Sequence, residues 1–257
     1  MTGHDRVGLE RRGRVGIVSI RRPEVRNAID GPTARQLERA LDELEADEGI
    51  WAIVIVGQGP VFCAGADLQM IADGDDPAET LRGGFAGITT RERAKPLVAA
   101  VEGAAVAGGF EIVLACDLVV AAEGAVFGLS EVRRGLVAGG GGLVRLPSAV
   151  PRSLAMEIAL LGSMVDAERL GTHGVVNRIV VPGTALDVAA DLAAQLTQNP
   201  PIAVQESRAV VEVAASSTES GAWQRSAQAR QRVQETEDFH EGPRAFLEGR
   251  DPVWTGR

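Results

Sequence analysis

The chain has 257 residues, 45% of them apolar, and carries 26 basic against 35 acidic side chains, a formal net charge of −9. That length supports one main domain with an appendage, and the acidic balance argues against a nucleic-acid partner, which calls for a basic face. The first residues lack an apolar signal core, and each apolar run is broken by Gly, Pro or charge before membrane-spanning length, so a cytoplasmic protein without membrane contact is expected.

In chain order, Val7 to Glu10 and Val15 to Ile20 are rich in β-branched residues and flank Arg12-Gly13, which predicts a hairpin closed off by Arg21-Arg22-Pro23. From Pro32, the helical spacing of Leu37, Ala40, Leu41 and Leu44 predicts a helix with a wet outer face. Trp51 to Val56, Leu97 to Val101 and Leu118 to Ala121 read as short buried strands separated by helical stretches, an α/β pattern. Beyond Pro151 only Val175 to Val181 reads as a strand, and helices are expected from near Ala185, Ile202 and Gly221. The apolar face made by Ala203, Val204, Val210 and Val211 should be packed on something.

Several kinds of chemistry are excluded by residue type and spacing. Gly57-Gln58-Gly59 follows a strand, but Pro60 comes next and Phe62 stands where a dinucleotide fingerprint needs its third glycine. There is no Walker loop and no GxSxG elbow. His4, His173 and His240 lie in polar surroundings without ligand spacing, and Cys63 and Cys116 are read as core thiols, so no metal site is expected. Acid-base work then falls to carboxylates.

Three segments remain. Phe62-Cys63-Ala64-Gly65-Ala66-Asp67-Leu68 sets small residues at a strand end, where backbone amides are free to meet a ligand. Ala107-Gly108-Gly109 runs into a helix whose first N–H groups lack intrahelical acceptors and carry the positive end of the dipole. Glu111 falls in that helix's first turn, between Phe110 and Ile112, and Phe127-Gly128-Leu129-Ser130-Glu131 brings a second acid before the run Gly139 to Gly142. By pattern alone, each acid suits a helix start as well as it suits chemistry.

Taken together these segments resemble the crotonase, or enoyl-CoA hydratase, superfamily over nearly the whole chain. Ser19 to Ile29 is similar to its N-terminal CoA-binding segment, Phe62 to Leu68 and Val101 to Glu111 to its two oxyanion segments, and Phe127 to Glu131 to its second acid segment. Ala167 to Asn177 resembles the downstream signature, and Glu237-Asp238-Phe239 through Phe246-Leu247 and Pro252 the usual C-terminal end.

The resemblance implies a crotonase-like spiral of β-β-α repeats over 1–195 and a helical trimerisation region over 196–257, assembled as a homotrimer or a dimer of trimers. It implies an acyl-CoA substrate whose thioester oxygen meets the backbone N–H groups of Ala66 and Gly108, with Glu111 and Glu131 catalytic. Arg26, Ala28, Ala64, Asp67, Leu68 and Gly139 are expected along the bound substrate, Arg26 on a phosphate. No cofactor is implied, since coenzyme A arrives as part of the substrate. Two glutamates suit hydration of a 2-enoyl-CoA to a 3-hydroxyacyl-CoA, a reaction of lipid metabolism and fatty-acid β-oxidation. A Δ3,Δ2-enoyl-CoA isomerase, a CoA hydrolase or decarboxylase, and a non-catalytic acyl-CoA-binding module stand as alternatives. The individual roles of the two acids stay open, because neighbouring carboxyls titrate as a pair. This sequence departs from the family pattern at Ala107 and Glu102, where glycine and asparagine are usual, and at Ala104 and Ala138, where an aromatic and a proline are usual; Arg133-Arg134 is also unusually basic.

Overall fold

A computed structural model describes residues 6–74 and 78–257. The hairpin forms from β1 (Val7–Arg12) and β2 (Val15–Ile20), antiparallel about Gly13 at φ 61°. Helix α1 (Gly31–Ala46) starts where Asp30 Oδ1 accepts the Thr33 N–H at 2.9 Å, and it buries Leu37, Ala40, Leu41 and Leu44 as their spacing requires. β3 (Ala52–Gly57) follows, then the short α2 (Leu68–Asp73) and the two-residue strands β4 (Glu79–Thr80) and β5 (Gly84–Phe85). β6 (Leu97–Val101) and β7 (Ala104–Val106) lead into α3 (Gly108–Ala115), and β8 (Leu118–Ala122) and β9 (Val126–Gly128) come next.

The second half is mainly helical. It runs through α4 (Gly142–Ala149), α5 (Arg152–Leu161), β10 (Val165–Asp166), α6 (Ala167–Thr172), β11 (Arg178–Val180) and α7 (Ala185–Leu196). It ends in α8 (Pro201–Ser216), α9 (Glu219–Gln234) and α10 (Glu237–Glu248). Among the described residues no helix is long and apolar enough to cross a membrane.

The main sheet has the order β1-β2-β3-β6-β8-β11 and is parallel from β2 onward. Every residue of β3 and β6 is buried, as strands covered on both faces must be. On one face α7 lays Ala185, Ala189 and Ala193 against Val15, Ile17, Val54, Val98 and Val120; on the other, the principal core gathers α1, Phe62, Phe110 and Phe127. A second sheet, β10-β9-β7, carries the turn into α3 at one end.

Three expectations need correction. A second strand, the two-residue β10 (Val165–Asp166), forms beyond Pro151. The strand read across Val175 to Val181 is confined to Arg178–Val180. Asn177 exchanges two bonds with Val119, its backbone N–H donating to the Val119 C=O and its Oδ1 accepting the Val119 N–H at 2.7 Å, so a side chain replaces a ladder partner. The apolar face of α8 is not fully packed either: Ala203, Val204 and Val210 are half-buried and Val211 is exposed. α8 meets α9 instead through the buried Glu206, paired with Arg225 and Arg232.

Candidate active site

Small residues let two segments meet. Cys63 bridges to Ala105 on one side, donating to the Ala104 C=O and accepting the Val106 N–H at 2.9 Å, while Ala66 bridges to Ile29 on the other. α3 begins directly against this segment, because a Cβ on Gly109 would strike the Cys63 carbonyl and one on Gly65, at φ 92°, would stand 3.0 Å from the Gly108 nitrogen. The Ile29 bridge uses the Gly65 C=O and the Asp67 N–H, each at 2.8 Å, so the Ala66 N–H points to the opposite edge of the strand. Gly108 opens α3 and has no intrahelical acceptor. The two amides expected to hold a thioester oxygen are thereby brought into one neighbourhood. The ring of Phe85 covers Gly108 closely enough to exclude any side chain there.

Glu111 is 3% exposed in the first turn of α3, among the buried Phe110, Ile112 and Val113. Its Oε1 accepts the Gly142 N–H at 2.9 Å, and the Gly140 amide also faces it. Two glycines of the run are explained by this contact: a Cβ on Gly140 would lie 2.5 Å from Oε2, and one on Gly142 3.1 Å from Cγ. Burial raises the Glu111 pKa, opposed by the two amides and by the charge of Arg145, while Glu79 adds slightly to the rise.

Glu131 opens a 3-10 turn, Glu131–Arg134, after β9. Its Oε2 is buried and has no hydrogen-bond partner among the described residues. Burial pushes this carboxyl up to about 7; its own backbone amide pulls the other way, the Glu111 charge adds to the rise, and Arg134 opposes it. The two acids therefore sense each other across one site.

The N-terminal arginines separate into distinct tasks. Arg22 is 11% exposed at its side chain, bridges Asp30 at 3.1 Å and Asp67 at 3.2 Å, and donates to the Ala28 C=O. Arg21 folds its guanidinium against Gly8. Arg26 is exposed at a left-handed turn, φ 56°, and its C=O accepts the Ala64 N–H at 3.0 Å, so the expected phosphate ligand stands beside the first oxyanion segment. Ala28 is buried and Ala64 half-buried, while Leu68 and Gly139 are exposed. Asp67 is already engaged: its carboxylate holds Arg22 and caps α2 through the Gln69 N–H, which makes it a support of the segment.

Three residues of the site were not singled out in the sequence. Asn27, fully buried at φ 55°, accepts the Arg22 N–H and donates to the Gln58 and Val61 carbonyls, fixing the 22–29 loop to the 58–61 turn. An asparagine before two apolar residues was the only local signal. Phe85 and Arg145 reach the site from distant parts of the chain and carried none. His173 and His240 are exposed, and His4 lies outside the described residues. Cys63 and Cys116 are unpaired and packed among apolar neighbours, their thiols pushed up to about 12 by burial.

Comparisons with known proteins identify the family. The enoyl-CoA hydratase/isomerase family profile matches residues 10–257. A carnitinyl-CoA dehydratase of Salmonella enteritidis PT4 is 38% identical over 97% of this chain and 98% of its own length. The crystal structure of an enoyl-CoA hydratase from Mycobacterium marinum superimposes with a TM-score of 0.95 at 42% identity, covering 99% of this chain and all of that one. A carnitinyl-CoA hydratase from Mycobacterium avium, 40% identical over 99% of this chain and 100% of its own, superimposes with a TM-score of 0.80. With a crotonase fold, a helix-start amide beside a strand-end amide, and a buried Glu111 near a half-buried Glu131, the chain belongs to the enoyl-CoA hydratase/isomerase family.

Proposed function

We propose that this enzyme adds water across the double bond of a 2-enoyl-CoA thioester, giving a 3-hydroxyacyl-CoA. The observation that carries the reading is the pair of carboxyls at one site, held unequally: Glu111 is buried and accepts a backbone amide, and Glu131 is half-buried with one buried oxygen that meets no partner among the described residues. In this reading the Ala66 and Gly108 N–H groups receive the thioester oxygen as it gains enolate charge, and losing one such donor typically costs about 3 kcal/mol of barrier. Glu111, whose carboxylate is supported by two amides, takes a proton from water as its oxygen bonds to Cβ; Glu131, lifted to about 7, gives a proton to Cα. The reverse direction uses the same groups.

The same reading sets Arg26 against a coenzyme A phosphate and Leu68 and Gly139 along the acyl-pantetheine path. Exposed Val211, Trp223, Phe246 and Leu247 on α8, α9 and α10 support assembly into a homotrimer or a dimer of trimers. Two free thiols, Cys63 buried and Cys116 half-buried, accord with a reducing, cytoplasmic setting.

The test is loss of the conjugated thioester absorbance when the enzyme meets crotonyl-CoA. Conversion of a 3-enoyl-CoA with no effect on 2-enoyl-CoA of any chain length would replace hydration with isomerisation. The Salmonella relative supports a second reading, in which carnitinyl-CoA is the substrate and water leaves; parallel kcat/KM values for the two thioesters decide between them.

A further inference from the structure

Arg145, on α4, has no part in the chemistry above, yet it is tied to both halves of the site. Its Nη2 donates to the Thr89 C=O, and its Nη1 lies under Gly141 in the space a Cβ would need. Gly141, at φ 110°, stands between the Gly140 and Gly142 amides that face Glu111. Thr89 is itself buried, its hydroxyl accepts the Phe85 N–H at 3.1 Å, and the Phe85 ring covers Gly108. One guanidinium therefore spans from the clamp on the Glu111 carboxylate to the loop whose Phe85 ring packs against Gly108.

We infer that Arg145 is a positioning residue that holds the glycine run and the 84–90 loop at a fixed separation, so that the Glu111 carboxylate and the Gly108 N–H face the same acyl group. An arginine suits the place because its planar fork serves the Thr89 carbonyl and the underside of Gly141 at once, which a lysine point charge does not. The role rests on the hydratase reading, but its geometry does not depend on which acyl-CoA reaction is run.

Electrostatics act in the same direction. The charged groups facing Glu111 are Arg145 from α4, Glu79 from β4 and Glu131 after β9, so Arg145 is the cation that favours the Glu111 carboxylate. Arg145 is in turn faced by Glu212 from α8, Arg93, Glu111 and Cys116.

The test uses Arg145→Met and Arg145→Lys in the full-length enzyme. In Arg145→Met, kcat on crotonyl-CoA falls by about a hundredfold, the scale of a small misplacement of reacting groups, while KM moves far less. The Glu111 carboxyl 13C resonance, assigned by its absence in Glu111→Gln, titrates at higher pH once the cation is gone. Arg145→Lys keeps the charge, restores that titration and recovers only part of kcat. Unchanged kcat in Arg145→Met, or lost kcat and melting temperature with the Glu111 titration unmoved, overturns the proposal. Should Arg145→Met not fold, Arg145→Lys decides alone: parental kcat overturns the fork argument. A parent enzyme inactive on crotonyl-CoA defeats the hydratase reading, while the titration still judges Arg145.

Discussion

Glu131 lies within reach of the Glu111 charge, and the two carboxyls are held in opposite ways. Glu111 accepts the Gly142 N–H at 2.9 Å, whereas Glu131 keeps one oxygen buried without a partner among the described residues. Amides that donate to a carboxylate favour its ionised form, and burial without a donor favours the neutral acid. In the hydration proposed above, that difference casts Glu111 as the base and Glu131 as the acid.

Activity should report that separation. With Glu131 raised to about 7 and needed as the acid, kcat/KM for crotonyl-CoA should fall as pH rises through that value. Glu131→Gln should lower kcat by roughly a hundredfold to ten-thousandfold, the usual contribution of a positioned acid, while acyl-CoA binding measured by calorimetry persists. A Glu131→Gln variant as active as the parent would remove the acid pair from the mechanism.

Stability carries the same sign. The folded Glu131 carboxyl titrates above its ordinary 4.5, so folding favours its protonated form. That contribution is complete below about 4.5 and is lost as pH rises from there to about 7. The group is partly exposed, so after allowance for solvent screening the loss is about 1 kcal/mol. Thermal unfolding of the parent and of Glu131→Gln, followed from pH 4.5 to 8, should diverge in this window, with only the parent losing this increment. Parallel curves would mean that burial does not disturb Glu131.

The glycine run should divide sharply between neighbours. A Cβ on Gly139 meets nothing closer than 3.9 Å, so Gly139→Ala should change melting temperature little. On Gly140 the added methyl meets Glu111 Oε2 at 2.5 Å and Phe85 Cβ at 3.0 Å, and the carboxylate must move. Because a displaced catalytic group of this kind costs about a hundredfold, Gly140→Ala should lose most of kcat while remaining folded. Equal activity of the two variants would show that Glu111 is free to reposition.

What could be read from the sequence was what local chemistry encodes. Leu37, Ala40, Leu41 and Leu44 announce α1 because their spacing is the helix period, and Ala107-Gly108-Gly109 announces a helix start. The main sheet was readable as unbroken apolar runs. β10 was missed because two residues show no period, and the end of β11 was misplaced because Asn177 substitutes its side chain for a strand partner. At the site, both acids stood in recognisable segments, but Arg145 matters through Thr89, 56 positions away in the chain, and Phe85 through its ring against Gly108, which no local pattern records. In the sequence Arg22 stood as part of the Arg21-Arg22-Pro23 stop. Only the folded ion pairs show that Arg22 is committed to Asp30 and Asp67.

Ala107, the departure from the family's usual glycine, adopts φ 53° and ψ −127°, a backbone region that L side chains rarely enter. Its N–H donates to the Gly128 C=O at 2.8 Å, which anchors the turn between β7 and α3 and aims the next amide, that of Gly108. Such strain costs of order 1–3 kcal/mol, while the added freedom of an unfolded glycine costs about 0.5–1 kcal/mol. Ala107→Gly should therefore stabilise the protein by about 1 kcal/mol, a rise in melting temperature of about 2–4 °C for a chain of this size. Differential scanning calorimetry measures it directly. A lower melting temperature would show that the alanine methyl contributes more by packing than its backbone loses by strain. Because the Gly108 N–H is held by this turn, crotonyl-CoA turnover should stay at or below the parental rate even as stability rises, strain here serving to fix the amide.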